Sequence, residues 1–332
     1  MTNYGNMYGP DFTFLGIERC DLDKPETYKG ADVVIVGAPI DSGTSHRSGA
    51  KFGPQAIRMG DYLPHDGERP HLALRTDGLK DIKVVDAGDL IMNGGDLEGS
   101  LKKLADATEK ISKAGAIAVV LGGDHSIASA DVAGIANHRG KGKISMVHFD
   151  AHADTGADQW GALVGHGTPM RRLIENGHVR GDRFLQLGLR GYWPDDATLN
   201  WMRDQGMRSY EMTEIHHRGL KSVLDESFAT LTDGCDGVFL SVDIDVVDPG
   251  MAPGTGTPEP GGMTSRELLE AVRRICLELP IVGVDIVEVA PPFDSADITA
   301  ILANRVVLEA LSAIALRKKG GTYSPTRNLL DR

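Results

Sequence analysis

The residues best suited to chemistry lie in one short stretch, VHFDAHAD, at positions 147–154. Asp150, His152 and Asp154 occupy alternate positions at the end of an apolar run that is typical of a buried strand. Alternate side chains of an extended chain point to the same face, so we expect these three to lie together. Two carboxylates and an imidazole crowded on one face need a positive charge between them, which a divalent metal ion supplies.

Further metal-capable side chains follow two other apolar runs. His125 lies in GGDHS, just after the run 116–121, and Asp243 and Asp245 stand at the end of the run 237–243. Four aspartates and two histidines suffice for two metal ions, which carboxylates can bridge at about 3.5–4 Å. Oxygen and imidazole ligands without thiolate favour Mn, Ni, Co or Zn. The sequence therefore predicts a binuclear metal site.

Two more residues are candidates for catalysis. His166, in GHGTP, follows the aspartates closely enough along the chain to transfer protons at the site. Glu288 ends the apolar run 281–288, which would bury its charge unless a cation such as a substrate pairs with it. His148 shares the parity of Asp150 but lies further back on the strand, so a core or supporting role is predicted for it.

The pattern of apolar runs predicts the elements that position these groups. Runs typical of buried strands alternate with helical periodicity, which favours an α/β fold with a parallel sheet of seven or eight strands covered on both faces. Ligands of such sheets bind at the carboxyl edge, where the polar groups named above lie. The predicted strands are 32–37, 83–86, 116–121, 143–150, 183–189, 237–243 and 281–288. The predicted helices start near 54 and cover 97–114, 126–138, 168–176, 195–205, 264–279 and 297–316.

Composition restricts the partners and the compartment. The chain has 332 residues, of which 41% are hydrophobic and 25% charged, and its net charge of −12 with no basic stripe argues against nucleic acid. Three scattered cysteines, no basic and apolar leader, and no apolar run of the ~20 residues that a membrane span needs indicate a cytoplasmic protein without a membrane partner. We expect an irregular N-terminal arm (1–30), one domain (31–318) and a C-terminal tail (319–332).

Five motifs resemble the ureohydrolase family, which comprises the arginases and agmatinases. They occur in the family's order, and the resemblance covers residues 30–318. The long APGTGTPEPGG segment looks more like the agmatinase branch, with guanidinobutyrase and proclavaminate amidinohydrolase, than like true arginase. The motifs are GGDHS (122–126), DAHAD (150–154), HGTP (166–169), SVDIDVVDPGMAPGTGTPEPGG (241–262) and DIVEVAPP (285–292).

The resemblance implies a three-layer α/β/α fold with an eight-stranded parallel sheet, two Mn²⁺ ions, and a homotrimer or hexamer, possibly with a paralogous subunit. Some relatives that act on free guanidine or on metformin are nickel enzymes, so Ni²⁺ is an alternative. His166 resembles the family's proton shuttle, and Glu288 the carboxylate that holds the guanidinium. One ion would be held by His125, Asp150, Asp154 and Asp243, and the other by Asp150, His152, Asp243 and Asp245, with Asp150 and Asp243 bridging.

The implied reaction is hydrolysis of a C–N bond in a guanidino compound. Hydroxide supplied by the two ions attacks the guanidinium carbon, and Glu288 orients the planar cation over it. The leaving amine takes its proton through Asp154, and His166 relays protons to solvent. The products are urea, or a substituted urea, and an amine.

The substrate is predicted from the loops after the metal ligands. Trp160, Tyr192 and Trp193 could form an apolar or cation-binding wall, and His46 could lie at the rim. The loop 156–166 has no Lys or Arg, which disfavours an anionic tail unless Arg47 or Arg190 reaches the site. Agmatine-like cations, small or alkylated guanidines and biguanides of the metformin type are the resulting candidates.

Three alternatives stay open at this point. A guanidinobutyrase or other guanidino-acid hydrolase would need a cationic group for the substrate's carboxylate. A non-catalytic partner subunit of a hetero-oligomeric ureohydrolase would be expected to lack some of the ligands. Hydrolysis of formiminoglutamate or of an acetylated amine on the same fold would release formamide or acetate instead of urea.

Overall fold

The central element of the fold is an eight-stranded sheet. The computed structural model describes residues 12–63 and 65–326. The strands are β1 (Val33–Ala38), β2 (Pro70–His71), β3 (Thr76–Asp77), β4 (Val84–Asp89), β5 (Ile117–Gly122), β6 (Ile144–Phe149), β7 (Val179–Leu189), β8 (Arg208–Glu211), β9 (Gly237–Asp243) and β10 (Ile281–Val287). The order in the sheet is β4-β1-β5-β10-β9-β6-β7-β8, with neighbouring strands parallel. The short strands β2 and β3 form a separate antiparallel pair.

Helices cover both faces of this sheet. They are α1 (Gly53–Met59), α2 (Leu97–Lys113), α3 (Ala128–Arg139), α4 (Pro169–Glu175), α5 (Asp196–Asp204), α6 (Met212–Arg218), α7 (Leu220–Thr232), α8 (Ser265–Glu278) and α9 (Ile298–Lys318). The helices α1, α6, α7, α8 and α9 contribute to the core on one face, and α2, α3 and α4 contribute to the core on the other. Alternate residues of β1 divide between the two cores, which confirms the predicted α/β/α layers.

The strands that carry the predicted site residues are contiguous in the sheet. His125 follows β5, Asp150 follows β6, Asp243 ends β9 and Glu288 follows β10, and these strands lie side by side as β5-β10-β9-β6. Because all four run parallel, their carboxyl ends meet at one edge. The topology therefore brings together groups that are up to 163 residues apart in the sequence.

The sequence-based prediction missed five of these elements: the two-residue strands β2 and β3, the strand β8, and the helices α6 and α7. β8 is a four-residue edge strand in which only Tyr210 is buried, so it shows no apolar run. The helices α6 and α7 are separated at Gly219, whose φ of +81° lies in the left-handed region. The helix α7 does bury Val223, Leu224 and Leu231 at helical spacing, so periodicity could have identified it.

The helix α9 is the most apolar helix of the fold. Within the described residues it alone is long and apolar enough to cross a membrane, with a mean hydropathy of 1.6. However, 83% of that apolar stretch is buried inside the protein, as in the core helix of a globular domain. It contributes Leu302, Val306 and Leu311 to the same core as α8.

The expected N-terminal arm falls partly outside the described residues, because residues 1–11 are not among them. In the rest of it, Phe14 and Leu15 are fully buried in the core against which α9 packs. The backbone N–H of Phe14 donates to Oδ2 of Asp86, which also accepts from Arg58. This part of the segment is thus fastened to the sheet. Of the expected C-terminal tail, residues 327–332 also lie outside the described residues.

Candidate metal and catalytic site

The imidazole of His125 faces three carboxylates. Its Nδ1 lies 3.1 Å from Oδ2 of Asp150, 3.1 Å from Oδ2 of Asp154 and 3.2 Å from Oδ2 of Asp243. His125 is fully buried, and this nitrogen makes no hydrogen bond of acceptable geometry. A buried lone pair converging with carboxylate oxygens is the arrangement that a metal ion satisfies.

A second group shares Asp150 with the first. Nδ1 of His152 lies 3.1 Å from Oδ2 of Asp245 and 3.5 Å from Oδ1 of Asp150. The two oxygens of Asp150 therefore face different imidazoles. Asp243, beside His125, accepts the backbone N–H of Asp245 through its other oxygen at 2.9 Å. The structure thus gathers all six predicted ligands, with Asp150 placed between two groups.

The carboxylates change the protonation of the imidazoles beside them. Burial alone lowers the pKa of His152, but Asp245 and Asp150 raise that pKa to about 12. Burial likewise lowers the pKa of His125, but three carboxylates override this effect and place that pKa well above its ordinary value. Burial raises the pKa of Asp243, and the charge of Asp245 adds to the rise. Such a cluster of buried negative charge requires positive charge, and the nitrogen and oxygen ligands fit two divalent ions.

His148 is also close enough to be a ligand, but its hydrogen bonds assign it another role. Its ligand atom lies within 4.8 Å of those of His125, Asp150 and Asp154. The amide nitrogen of Gln186 donates to Ala153 O at 2.7 Å and lies 3.0 Å from Nδ1 of His148. Nδ1 is therefore the acceptor, and the ring proton is assigned to Nε2, 2.8 Å from Oδ2 of Asp150. His148 thus donates to a ligand, in agreement with the supporting role predicted for it.

His166 and Glu288 form a buried pair next to this cluster. Oε1 of Glu288 lies 2.9 Å from Nδ1 of His166 and accepts the backbone N–H of His125 at 2.9 Å. Burial lowers the pKa of His166, but Glu288 overrides it and raises that pKa to about 9. In contrast, the backbone N–H of Ser45, 3.0 Å from Nε2, favours a form of His166 whose Nε2 carries no proton. His166 thus has partners for both of its protonation states.

Two residues of the metal and catalytic cluster have a backbone conformation that side chains rarely adopt. Asp154 has a φ of +52° and Glu288 a φ of +62°, both in the left-handed region. Neither residue is glycine, so the surrounding structure must hold them there at a cost of about 1–3 kcal/mol each. Residues held in this way cluster at functional sites.

A cavity of about 440 Å³ opens onto these groups. Its wall includes His152, Asp154 and Asp243 of the metal cluster together with His166 and Glu288. A larger cavity, of about 920 Å³, lies between α7, α8 and the segment after α9. That larger cavity contains none of the predicted site residues, so the smaller one is the candidate active site.

The predicted substrate-contacting residues divide into two pairs. Trp160 and Trp193 line the cavity, with 82% and 39% of their surface exposed. Tyr192 is fully exposed and His46 is exposed, and neither belongs to the cavity wall. The wall also contains five residues that sequence reasoning did not single out, although Ser45 adjoins His46 and two others lie in quoted motifs. They are Ser45, Asp158, Gln159, Gly167 and Thr257.

The two arginines that could have neutralised an anionic tail are bound elsewhere. Arg47 donates to Gly256 O at 2.9 Å and to Thr255 O at 2.7 Å, and its guanidinium lies 4.2 Å from the centre of the Phe293 ring. Arg190 donates to the backbone carbonyls of residues 188, 245, 246, 259 and 260. Across the described part of the chain, no Lys or Arg belongs to the cavity wall.

The chain is similar to proteins of the arginase family. A family model described as the arginase family matches residues 31–313. Proclavaminate amidinohydrolase of Streptomyces clavuligerus is 39% identical over 284 residues, which are 85% of this chain and 88% of that protein. The solved structure of that name has a TM-score of 0.83 at 35% identity and covers 94% of this chain and 100% of the other.

Relatives with different substrates in their names are about equally similar to this chain. Guanidinobutyrase of Pseudomonas aeruginosa is 36% identical and covers 88% of this chain and 89% of its own length. Mitochondrial agmatinase of Gallus gallus is 38% identical and covers 86% of this chain and 82% of its own length. Identity alone therefore does not select a substrate.

Proposed function

The chain belongs to the arginase family and is a hydrolase of amidine C–N bonds, and on that premise we propose that it is a binuclear amidinohydrolase. Its substrate would be a guanidino compound without an anionic tail, cleaved to urea or a substituted urea and an amine. Agmatine-like cations, small or alkylated guanidines and biguanides meet this description. The observation that carries the proposal is the convergence of six ligands beside a cavity wall without Lys or Arg in the described residues.

Two divalent ions, Mn²⁺ or Ni²⁺, fit the ligand set. One ion would take His125, Asp154 and Asp243, the other would take His152 and Asp245, and Asp150 would contact both, since its two oxygens face the two groups. When bound, such ions lower the pKa of water and provide a hydroxide nucleophile at neutral pH.

Glu288 is placed to hold the guanidinium. One of its oxygens is occupied by His125 N–H and His166, whereas Oε2 has no hydrogen-bond donor among the described residues. Glu288 is 1% exposed and lines the cavity, so a planar cation can pair with its charge out of water. Because one residue contacts both the cation and His166, the substrate and the proton-transfer group are positioned together.

Proton transfer is assigned to Asp154 and His166. Asp154 lines the cavity with 6% of its surface exposed, close to the bond that breaks, and can pass a proton to the leaving amine. His166 is 9% exposed, and its Nε2 lies 2.7 Å from Oγ of Ser45, which is half-buried. His166 thus lies between the buried site and the loop that carries Ser45. A proton can therefore pass from the cavity to Nδ1 or Nε2 of His166 and then outward.

The absence of a cation in the described cavity wall supports a substrate without a carboxylate tail. Arg47 and Arg190 already bind backbone carbonyls, so recruiting either would break hydrogen bonds that hold the loop 255–260. Trp160 and Trp193 present aromatic surface to a cationic or alkylated group. A guanidino-acid hydrolase would place an uncompensated carboxylate beside Asp158 and is disfavoured. The presence of all six ligands, His166 and Glu288 likewise disfavours a non-catalytic partner subunit.

A urea-release screen tests this proposal. Protein loaded with Mn²⁺ or with Ni²⁺ is incubated with agmatine, 4-guanidinobutyrate, arginine, guanidine and metformin, and urea and the amine are quantified. We expect turnover of agmatine, guanidine or metformin, with kcat/KM well above that for the two acids. Preferential turnover of guanidinobutyrate would overturn the substrate assignment, and formation of formamide or acetate from other amides without any urea would overturn the reaction.

A further inference from the structure

The side of His125 that faces away from the cavity is joined to a buried carboxylate through one hydroxyl. Oγ of Ser241 lies 2.9 Å from Nε2 of His125 and 2.8 Å from Oδ1 of Asp285. All three residues have no exposed surface. Ser241 on β9 and Asp285 on β10 are direct partners in the parallel ladder, so the sheet itself fixes their distance. The hydrogen bond between Ser241 and Asp285 is therefore fixed by the pairing of β9 with β10.

The direction of these hydrogen bonds follows from their chemistry. Oδ1 of Asp285 also accepts the backbone N–H of Val242 at 3.2 Å, so an acceptor must occupy that position. The Ser241 hydroxyl then donates its only proton to Asp285, and its lone pair is left to accept from Nε2–H of His125. A metal ion binds only the neutral imidazole, which carries one N–H, and with that proton on Nε2 the Nδ1 of His125 is a lone pair. That lone pair points at the oxygens of Asp150, Asp154 and Asp243.

The neighbouring imidazole is held in the opposite sense. Gln186 donates to Nδ1 of His148, so the Nε2–H of His148 points into the site and donates to Asp150. The rings of His125 and His148 are only 5.0 Å apart, centre to centre. The hydrogen-bond partners of the two rings therefore give them different roles: His125 presents a lone pair to the site, and His148 presents an N–H.

We propose that Asp285, acting through Ser241, is a positioning residue that holds His125 in the tautomer able to bind a metal ion. This inference rests on the proposed metal site and concerns its affinity for the ion at His125. Without the acceptor, either ring nitrogen of His125 could carry the proton, and the tautomer with Nδ1–H would donate to a carboxylate and exclude the ion. The partners that orient a histidine ligand typically contribute about 10–100-fold to metal affinity.

Asp131 on α3 completes the arrangement and supplies a matched control. It is fully buried, and Oδ2 of Asp131 and Oδ2 of Asp285 each lack a hydrogen-bond donor among the described residues. Burial and the charge of Asp285 raise the pKa of Asp131 well above its ordinary value, and Asp285 already accepts two hydrogen bonds, so a protonated Asp131 is the carboxyl suited to donate to Asp285. An asparagine amide at position 131 can also donate, so Asp131→Asn preserves the direction of the network.

The experiment compares four variants by their metal affinity. Ser241→Ala removes the hydroxyl, Asp285→Ala removes the acceptor, Asp285→Asn keeps an acceptor oxygen for Ser241 and Val242, and Asp131→Asn is the control. Metal-free proteins are titrated with Mn²⁺ and with Ni²⁺, bound metal is quantified after dialysis, and ¹⁵N-histidine spectra report which ring nitrogen of His125 carries the proton. The melting temperature of each metal-free variant is measured alongside.

We expect Ser241→Ala and Asp285→Ala to bind one ion about 10–100-fold more weakly and to retain the other. Asp285→Asn and Asp131→Asn should bind both ions as the unaltered protein does. Wild-type affinity in Ser241→Ala, or equal weakening in Asp285→Asn, would overturn the inference, because the acceptor would then not be what matters. If Asp285→Ala does not fold, Ser241→Ala decides, since it leaves the bond between Asp285 and Val242 intact. If the unaltered protein binds no divalent ion, the proposed metal site itself fails.

Discussion

His166 and Glu288 share a hydrogen bond of 2.9 Å, and the same Glu288 oxygen accepts the backbone N–H of His125. One carboxylate thus joins the proton-transfer group to the strand end that carries a metal ligand. Since the bond to His125 uses the backbone, the pair can be altered without removing a ligand. This separation makes the role of His166 testable.

Replacing His166 by alanine should remove proton transfer but not the metal site. His166 contacts Glu288 and Ser45 and is not one of the six ligands. General acid–base groups contribute about 10²–10⁴-fold, so we expect kcat to fall by that factor while two ions remain bound. Steady-state kinetics with metal analysis on the same sample checks this. Loss of both ions would show instead that His166 supports the site structurally.

Replacing Asp150 by alanine should abolish both metal binding and activity. Asp150 is 1% exposed, and its two oxygens face His125 and His152 separately, so neither group is complete without it. Metal content after dialysis should fall to background and urea release with it. Asp248→Ala is the control, because that carboxylate accepts only the backbone N–H groups of Gly250, Gly261 and Gly262 and does not line the cavity. An active, metal-free Asp150 variant would contradict the two-metal assignment.

Replacing Asp158 by asparagine should alter selectivity for the substrate tail. Asp158 lies in the cavity wall but is exposed, and one of its oxygens accepts the N–H of Gly161 at 2.8 Å. Exposed ion pairs contribute little, so we expect kcat/KM for agmatine to fall about two- to fivefold. Guanidine, which has no distal amine, should be unaffected. An equal fall for both substrates would assign Asp158 to the loop's structure rather than to recognition.

Low pH should destabilise the folded protein by protonating Asp61, which is distant in sequence from the metal ligands. Its side chain is buried and accepts hydrogen bonds from Arg69 and Arg305 at 2.9 Å. Burial raises the pKa of Asp61, but the two arginines override it and the net shift is downward. A lowered pKa stabilises the folded state above the unfolded value of about 3.9, and this contribution is lost as the pH falls through the lower folded value.

The matching measurement is thermal unfolding of the unaltered protein and of Asp61→Asn. At pH 7 the variant should be less stable by about 1–3 kcal/mol, because two arginines lose a charged acceptor. The difference in Tm should shrink as the pH is lowered below about 4. A difference that stays constant down to pH 3 would mean that the ionised carboxylate contributes no stability.

The fold could be predicted because each central strand is a nearly continuous apolar run that ends in polar groups. The runs before Asp150 and Asp243 are buried along their whole length, as parallel strands between two helical layers must be. β8 escaped prediction because its stability comes from pairing with β7, and only Tyr210 in it is buried. The sequence of β8 alone does not indicate that it pairs with β7.

The contents of the site were predictable, but the assignments within it were not. Spacing and chain order pointed to the six ligands, His166 and Glu288. Both imidazoles carry the proton on Nε2, but His125 turns its lone pair toward the site and His148 turns its N–H there, and these orientations depend on Asp285 and Gln186, residues of other strands. Similarly, the sequence alone leaves Arg47 as a candidate for the cavity. In the structure its guanidinium donates to backbone carbonyls 208 and 209 residues away. Hydrogen bonds over such separations are set by the tertiary fold.

The position of β10 between β5 and β9 has a consequence for how the protein is made. Synthesis produces β5, β6 and β9 first, and the strands bearing His125 and Asp243 have no common neighbour in the sheet until residues 281–287 follow. A nascent chain therefore has all six ligands before it has the strand that brings His125 beside Asp243. Because β6 and β9 pair directly, a chain that stops before β10 could still bring His152 and Asp245 together, but it should leave the ribosome without the group at His125.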